Sequence, residues 1–264
     1  MKRLTDVMLP ILTLVFFAIL WEFGVRWAEI PSYTLPAPSV ILHSLIMNWP
    51  SLAASWWFTL QITFGALLLA CSGGILIASV FSLSPSLERA FFPIAVVLQV
   101  TPIVAVAPLI LIYVDSTTAA LLLCAWIVAF FPILSNTVTG LRMTDRNLMD
   151  LFRLYRASPW QRLRLLRAPS ALPYFLAGLK ISGGLSLIGA VTAEMVAGAA
   201  GRETGLASRI LEASFRTETP KMFAALALLV LTGVLIFMLF TALSRILLAH
   251  WHDAEPLTDT GRTF

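Results

Sequence analysis

Residues 222–244 read MFAALALLVLTGVLIFMLFTALS, a run without a single formally charged side chain. A helix needs about 20 apolar residues to cross the ~30 Å hydrocarbon core of a bilayer. Inside that core each backbone N–H and C=O must be satisfied within the protein, which a helix does by itself. Residues 30–87, 90–114 and 116–141 are charge-free as well. The last two are long enough for one crossing each, and 30–87 holds one crossing plus a short extra piece. Charged residues make up 12% of the 264, about half the share usual in a soluble domain. Mean hydropathy is +0.88. These features define an integral membrane protein.

At the N-terminus Lys2 and Arg3 precede an apolar run, 7–20, that continues into Trp21, Glu22 and Phe23. No small-residue cleavage site follows, so the run reads as an uncleaved first span rather than a secretory signal. Six helices are predicted, at about 7–27, 56–82, 90–112, 117–139, 174–198 and 221–247. The fold class is therefore all-α: a polytopic membrane protein with six transmembrane helices and one large polar loop. Leu35-Pro36-Ala37-Pro38-Ser39 stops the chain after the first span, and a short amphipathic helix is expected at 40–49. Trp49, Trp56 and Trp57 suit the membrane interface. The whole chain, 1–264, reads as a single domain: an extra span at 1–34, a core at 35–250 with its loop at 140–172, and a tail at 251–264. Cys71 and Cys124 fall inside apolar blocks and read as small buried hydrophobes, not as a disulfide or metal site.

Positive charge is retained in the cytoplasm. The loop 140–172 carries Arg142, Arg146, Arg153, Arg156, Arg162, Arg164 and Arg167 against Asp145 and Asp150. It is therefore expected inside, with both termini inside too, in agreement with Lys2, Arg3, Arg89 and Arg245. The region 201–219 balances Arg202, Arg209 and Arg216 against Glu203, Glu212 and Glu218, as an outer loop can.

A basic inner loop usually reports topology only, but the order within this one says more. Residues 147–156 and 159–167 read as two short helices joined at Ala157-Ser158. Pro159 suits a first helical turn, and Ser158 can cap it. Leu148, Leu151, Phe152 and Tyr155 recur at spacings of three and four, which gives the first helix one apolar face. Leu163, Leu165 and Leu166 supply apolar surface on the second. An amphipathic helix on the aqueous side of a membrane can seat in the groove of another protein, with arginines around the rim.

This loop resembles the signature of bacterial binding-protein-dependent ABC transporter permeases: Glu-Ala-Ala, three residues, Gly, nine residues, then Ile-x-Leu-Pro. Asp150, Leu151 and Phe152 take the first three places, Arg156 the glycine place, and Leu166 and Pro169 the isoleucine and proline places, without a gap. Arg156 departs most from the pattern. An arginine there implies a less sharp bend, a different ATPase partner, or weaker coupling. Leu172-Pro173-Tyr174, Gly178-Leu179-Lys180, Ala193-Glu194-Met195 and Gly205-Leu206 are similar to the nitrate/sulfonate/taurine branch, as is Leu35-Pro36-Ala37-Pro38-Ser39. The resemblance implies a multi-pass protein of the bacterial inner membrane, paired with a second permease chain as a homodimer or close heterodimer. It also implies two cytoplasmic ATPase subunits that grip the loop, and an external solute-binding protein. ATP and Mg would sit on those ATPases, and this chain would bind no cofactor. No Gly-x-x-x-x-Gly-Lys-Ser/Thr phosphate loop occurs in the sequence, so hydrolysis belongs to another chain. Substrates of the branch include nitrate, sulfonates, taurine and heterocyclic vitamin precursors, and residues 203–225 lean toward the last.

Polar residues within the spans are the candidates for a translocation path. Gln99 and Thr101 precede Pro102, where a kinked helix can expose carbonyls to a cavity. Asn136 and Glu194 complete the set; hydrogen bonding to a neighbouring helix, or capping near the outer mouth, is the structural alternative for each. Lys180 and Glu194 stand 14 residues apart, or about 21 Å along a helix, so they approach opposite interfaces, with Lys180 snorkelling inward. Ser182, Ser186, Ala190, Ala193 and Ala197 form a small-residue row suited to close helix packing or a dimer seam. His43, His250 and His252 lie outside the spans, and no catalytic constellation, metal set or nucleic-acid surface converges. The rival from another class is an ion-gradient-driven secondary transporter, which would show repeated halves or paired broken helices. An intramembrane enzyme is the third reading.

Overall fold

In the computed structural model, which describes residues 2–201 and 205–249, the charge-free blocks are mostly helix and no strand occurs among the described residues. α1 spans Lys2–Trp27, α2 Pro38–Met47, α3 Trp49–Leu83, α4 Pro85–Val100, α5 Ile103–Tyr113 and α6 Thr117–Arg142. α7 (Arg146–Leu154) and α8 (Pro159–Arg162) follow. A π-helical turn, Leu163–Arg167, then leads into α9 (Ala168–Ala199), and α10 (Leu206–Phe215) and α11 (Thr219–Leu248) come last. The expected tail at 251–264, with His250, His252, Arg202 and Glu203, lies outside the described residues.

α3, α6, α11 and the continuous helix Pro159–Ala199 are each long and apolar enough to cross a membrane. The crossing expected at 90–112 is instead two helices, α4 and α5, which meet at 99°. Thr101 (φ −71°, ψ 120°) and Pro102 (φ −68°, ψ 110°) are both extended. Pro102 explains the break, because its ring disfavours the helical region for the residue before it. The pair still runs the length of α6. Glu88 near the start of α4 is ion-paired with Arg142 at the end of α6, while Ala107 and Leu111 of α5 pack with Ala120 and Leu121 at its start. α4 and α5 thus make one bent traverse rather than a re-entrant hairpin. Four unbroken helices and this pair stand where five of the six crossings were expected. The sixth candidate, α1, stands off the bundle with most of its described side chains exposed. Its C-terminal end is held where Ser39 donates its backbone N–H to Glu22 (2.9 Å) and Trp21 leans on Phe223.

The second loop helix is not the separate element expected at 159–167. It runs on into α9 through the π-helical turn, where Ala168 N–H donates to the Leu163 carbonyl five residues back. Pro169 and Pro173 are therefore carried inside one long helix, and such wider turns are a recognised way to re-satisfy backbone groups around proline.

The bundle is centred on α6 and α9. Ser182 donates to the Ala129 carbonyl (2.7 Å), and a Cβ on Gly189 would lie 2.9 Å from Ala125 Cα. Ser182, Ser186, Ala190, Ala193 and Ala197 are all fully buried, the last three in a cluster with residues of α3, α5 and α6. The small-residue row is therefore a packing seam inside one chain, not a dimer seam. At one end of the bundle lie Arg142, α7, α8 and the C-terminus of α11. At the other lie Tyr33, α10 and the start of α11, where Thr219 donates to the Tyr33 carbonyl (2.7 Å).

Candidate functional site

The loop at the basic end is built from two well-formed caps. Asp145 accepts the Asn147 N–H (2.7 Å) and starts α7. Ser158 and Gln161 form a reciprocal capping box at the start of α8: Ser158 Oγ accepts the Gln161 N–H (3.2 Å), and Gln161 Oε1 accepts the Ser158 N–H (2.7 Å). Between them α7 closes at Arg156, whose φ is +50°. Arg156 N–H donates to the Arg153 carbonyl and Ala157 N–H to the Phe152 carbonyl, each at 2.9 Å. This pair of bonds, with a left-handed residue between, is the Schellman closure that glycine ordinarily makes. The less sharp bend expected from an arginine is not found; Arg156 adopts the glycine geometry and leaves its side chain exposed.

α7 is apolar on two sides. Met149 is buried against the bundle and Phe152 is half-buried, whereas Leu148, Leu151, Leu154 and Tyr155 face outward, the last two about four-fifths exposed. Trp160 extends this patch from α8. The second helix contributes less than expected: Leu165 is exposed, but Leu163 and Leu166 are buried in the bundle. Pro169 is exposed on the first turn of α9. Asp150 pairs with Arg153 (2.9 Å); Arg153, Arg156 and Arg164 are exposed on the same loop, whereas Arg146 lines a cleft against the bundle with Met149 and Arg167. The loop is anchored where Arg167 donates to the Ser82 carbonyl (2.7 Å) and hydroxyl (2.8 Å).

The four candidate path residues separate. Gln99 and Thr101 come together at the α4–α5 break, on a cleft of ≈ 270 Å³ also lined by Ile103, Val128 and Leu185. Val128 and Leu185 lie near the middles of α6 and α9, which puts this cleft halfway along the bundle. Asn136 is not part of it: its amide donates back to the Pro132 carbonyl (2.8 Å) beside Gly178. Glu194 is fully buried and acts as a cap supplied from another helix. Its Oε2 accepts the Ala207 N–H and the Thr59 hydroxyl, each at 3.1 Å, while Thr59 Oγ1 accepts the Leu206 N–H (2.9 Å). Glu194 and Thr59 thus satisfy the first two amides of α10, where a carboxylate also complements the helix dipole. Gly205 leaves room for this arrangement.

Three features are not anticipated by the sequence patterns. α10 fills a stretch expected as an outer loop, although Leu206, Ile210 and Ala213 follow a helical spacing. Met149 tethers the loop helix, and its signal is hidden because apolar residues of α7 lie on more than one face. The Glu88–Arg142 pair joins residues far apart in sequence, which spacing cannot reveal.

A helical bundle with a bent traverse along its side, a cleft at the bend and an exposed loop face at one end fits a multi-pass membrane transport subunit. Residues 70–251 match the model of the binding-protein-dependent transport system inner membrane component, and the chain belongs to that family. Over 253 residues it is 33% identical to the riboflavin transport system permease protein RibX of Chloroflexus aurantiacus, covering 92% of this chain and 89% of that one. It is 32% identical to the formylaminopyrimidine transport permease protein ThiX of Halalkalibacterium halodurans, covering 94% and 98%. The putative aliphatic sulfonates permease SsuC of Bacillus subtilis is 28% identical over 86% and 80%. Among solved structures, an inward-facing MetNI methionine ABC transporter chain shares the fold, with a TM-score of 0.62 at 21% identity over 74% of this chain and 95% of that one. The protein is a multi-pass permease component of the ABC importer family.

Proposed function

We propose that this chain forms the pore of an ATP-driven importer and is worked by two ATPase subunits bound to the α7–α8 loop on the cytoplasmic side. A second copy of the chain completes the pore, and an external binding protein delivers the solute. The observation that carries this reading is the outward face Leu148, Leu151, Leu154, Tyr155 and Trp160, apolar surface on an arginine-rich loop that nothing else among the described residues covers. Apolar area left in water in this way favours a partner by about 25 cal/mol per Å² on burial. Because α8 runs without interruption into α9, a push on the loop moves a 41-residue helix as a rigid lever. That helix reaches the Gln99–Thr101 cleft through Leu185, so closure of the ATPases would reshape the bend of α4 and α5. Rigid-body shifts of packed helices couple distant sites in this manner.

The solute is proposed to be a heterocyclic vitamin or vitamin precursor. Support comes from RibX and ThiX, whose likeness extends over nine-tenths of the chain, further than that of the sulfonate relative. The test is reconstitution of the permease with its ATPase and binding protein in liposomes. Uptake of a flavin or an aminopyrimidine is expected to stop in Leu151→Asp/Tyr155→Asp while the protein remains folded. Undiminished uptake by that variant would refute the docking role, and uptake of sulfonates alone would refute the substrate class.

A further inference from the structure

Between α9 and α11, at the basic end, a cleft of ≈ 340 Å³ is lined by Lys180, Thr241, Ser244, Arg245, Leu248 and Ala249. Neither Lys180 nor Arg245 has an ion-pair partner among the described residues. Lys180 Nζ instead lies over the Phe237 ring, 4.2 Å from its centre. Thr241 Oγ1 is buried without a hydrogen-bond partner, unlike Ser244, which donates to the Phe240 carbonyl (2.8 Å), and Thr232, which donates to the Leu228 carbonyl (2.7 Å). The half negative charge at the C-terminal end of α11 offsets part of one cation, and the cleft stays net positive. Ile181, Phe237, Met238 and Ile246, apolar and at least half exposed, give the surrounding surface the character of a lipid-facing wall.

From the two unpaired cations, the orphaned hydroxyl and the greasy surroundings we infer that this cleft holds the phosphate headgroup of an anionic phospholipid. Lys180 and Arg245 take the phosphate oxygens, Thr241 donates its hydroxyl to one of them, and the acyl chains lie along Phe237 and Ile181. Basic pockets between membrane helices recognise such headgroups, and anionic lipid is enriched in the cytoplasmic leaflet. That leaflet is where the cleft falls if the basic end is inside, the one element taken from the proposed function.

The test is native mass spectrometry of the full-length permease titrated with phosphatidylglycerol or phosphatidylcholine, a readout independent of ATPase, transport and orientation. Preferential retention of phosphatidylglycerol is expected. Lys180→Gln and Arg245→Gln should each weaken it about fivefold, the effect of one basic charge near a lipid surface. Thr241→Val should weaken it less. Arg89→Gln, which removes an exposed charge at the same end but outside the cleft, should leave it unchanged. Equal retention of the two lipids, or an equal loss with Arg89→Gln, would overturn the site, as would displacement of the lipid by soluble glycerol 3-phosphate. Should Lys180→Gln fold poorly, Arg245→Gln tests the same cleft through an exposed side chain whose loss leaves the packing intact.

Discussion

Gly205→Ala tests how the opposite end of the bundle is held together. The φ of Gly205 is −85°, which any residue can adopt, so conformational freedom is not the reason for glycine here. Space is: a methyl group at this position would overlap both Glu194 Oε1 and Thr59 Oγ1, far inside the 3.0 Å limit of real Cβ contacts. Both neighbours are fully buried and cannot swing into solvent. One of them must leave the amides of Leu206 and Ala207. A lost cap costs about 1 kcal/mol, and a buried polar group stripped of its partner about 1–3 kcal/mol. The sum is about 2–4 kcal/mol, which corresponds to a fall of roughly 4–16 °C in Tm for a chain of this size. Gly184→Ala is the control, because nothing lies within 4 Å of its Cβ position and replacing a mid-helix glycine should gain up to about 1 kcal/mol. Thermal unfolding of the purified proteins compares them, and hydrogen exchange at Leu206 and Ala207 localises the damage. If Gly205→Ala melts with Gly184→Ala, the cross-helix cap is not what orders α10.

Other outcomes follow from single contacts. Arg156→Gly should keep the Schellman closure and gain up to about 1 kcal/mol by relieving the left-handed backbone, whereas Arg156→Val should speed hydrogen exchange at Ala157. Gly178→Ala should destabilise the α6–α9 seam, because its Cβ would sit 2.8 Å from the Pro132 carbonyl oxygen; a lower Tm than that of Gly184→Ala checks this. Glu212 is held below its ordinary pKa of 4.5, first by its hydrogen bond from Arg209. A depressed carboxylate pKa stabilises the fold fully above the ordinary value and ceases to do so as pH falls through the folded pKa. Amide protection in α10 should therefore fall on acidification below about pH 4.5, and Glu212→Gln should remove that part of the dependence.

The long apolar runs are legible because a membrane core tolerates no charge. α3, α6 and α11 consequently fall within a few residues of expectation except at the start of α3, where Trp49–Ser55 extends the helix. Proline is less informative. Pro93, Pro108 and Pro132 remain inside helices, while Pro102 breaks one, and the difference depends on whether neighbours can satisfy the freed carbonyls. On α7 the apolar positions 148, 149, 151, 152, 154 and 155 cover more than one face, so spacing cannot say which side meets the bundle. Burial decides it, with Met149 and Phe152 inward. The same limit applies to Leu163 and Leu166, whose facing is fixed only once α8 is seen to continue into α9. Glu194 is readable as a cap or a path residue, and only the approach of α10 distinguishes them.

The most direct test of the loop's role is site-specific cross-linking in the assembled transporter, in a background with Cys71 and Cys124 replaced. Tyr155→Cys should form a cross-link to the ATPase subunit with a short bifunctional reagent, and Phe215→Cys at the far end of the bundle should not. A cross-link from position 215, with none from position 155, would contradict both the docking face and the orientation of the chain.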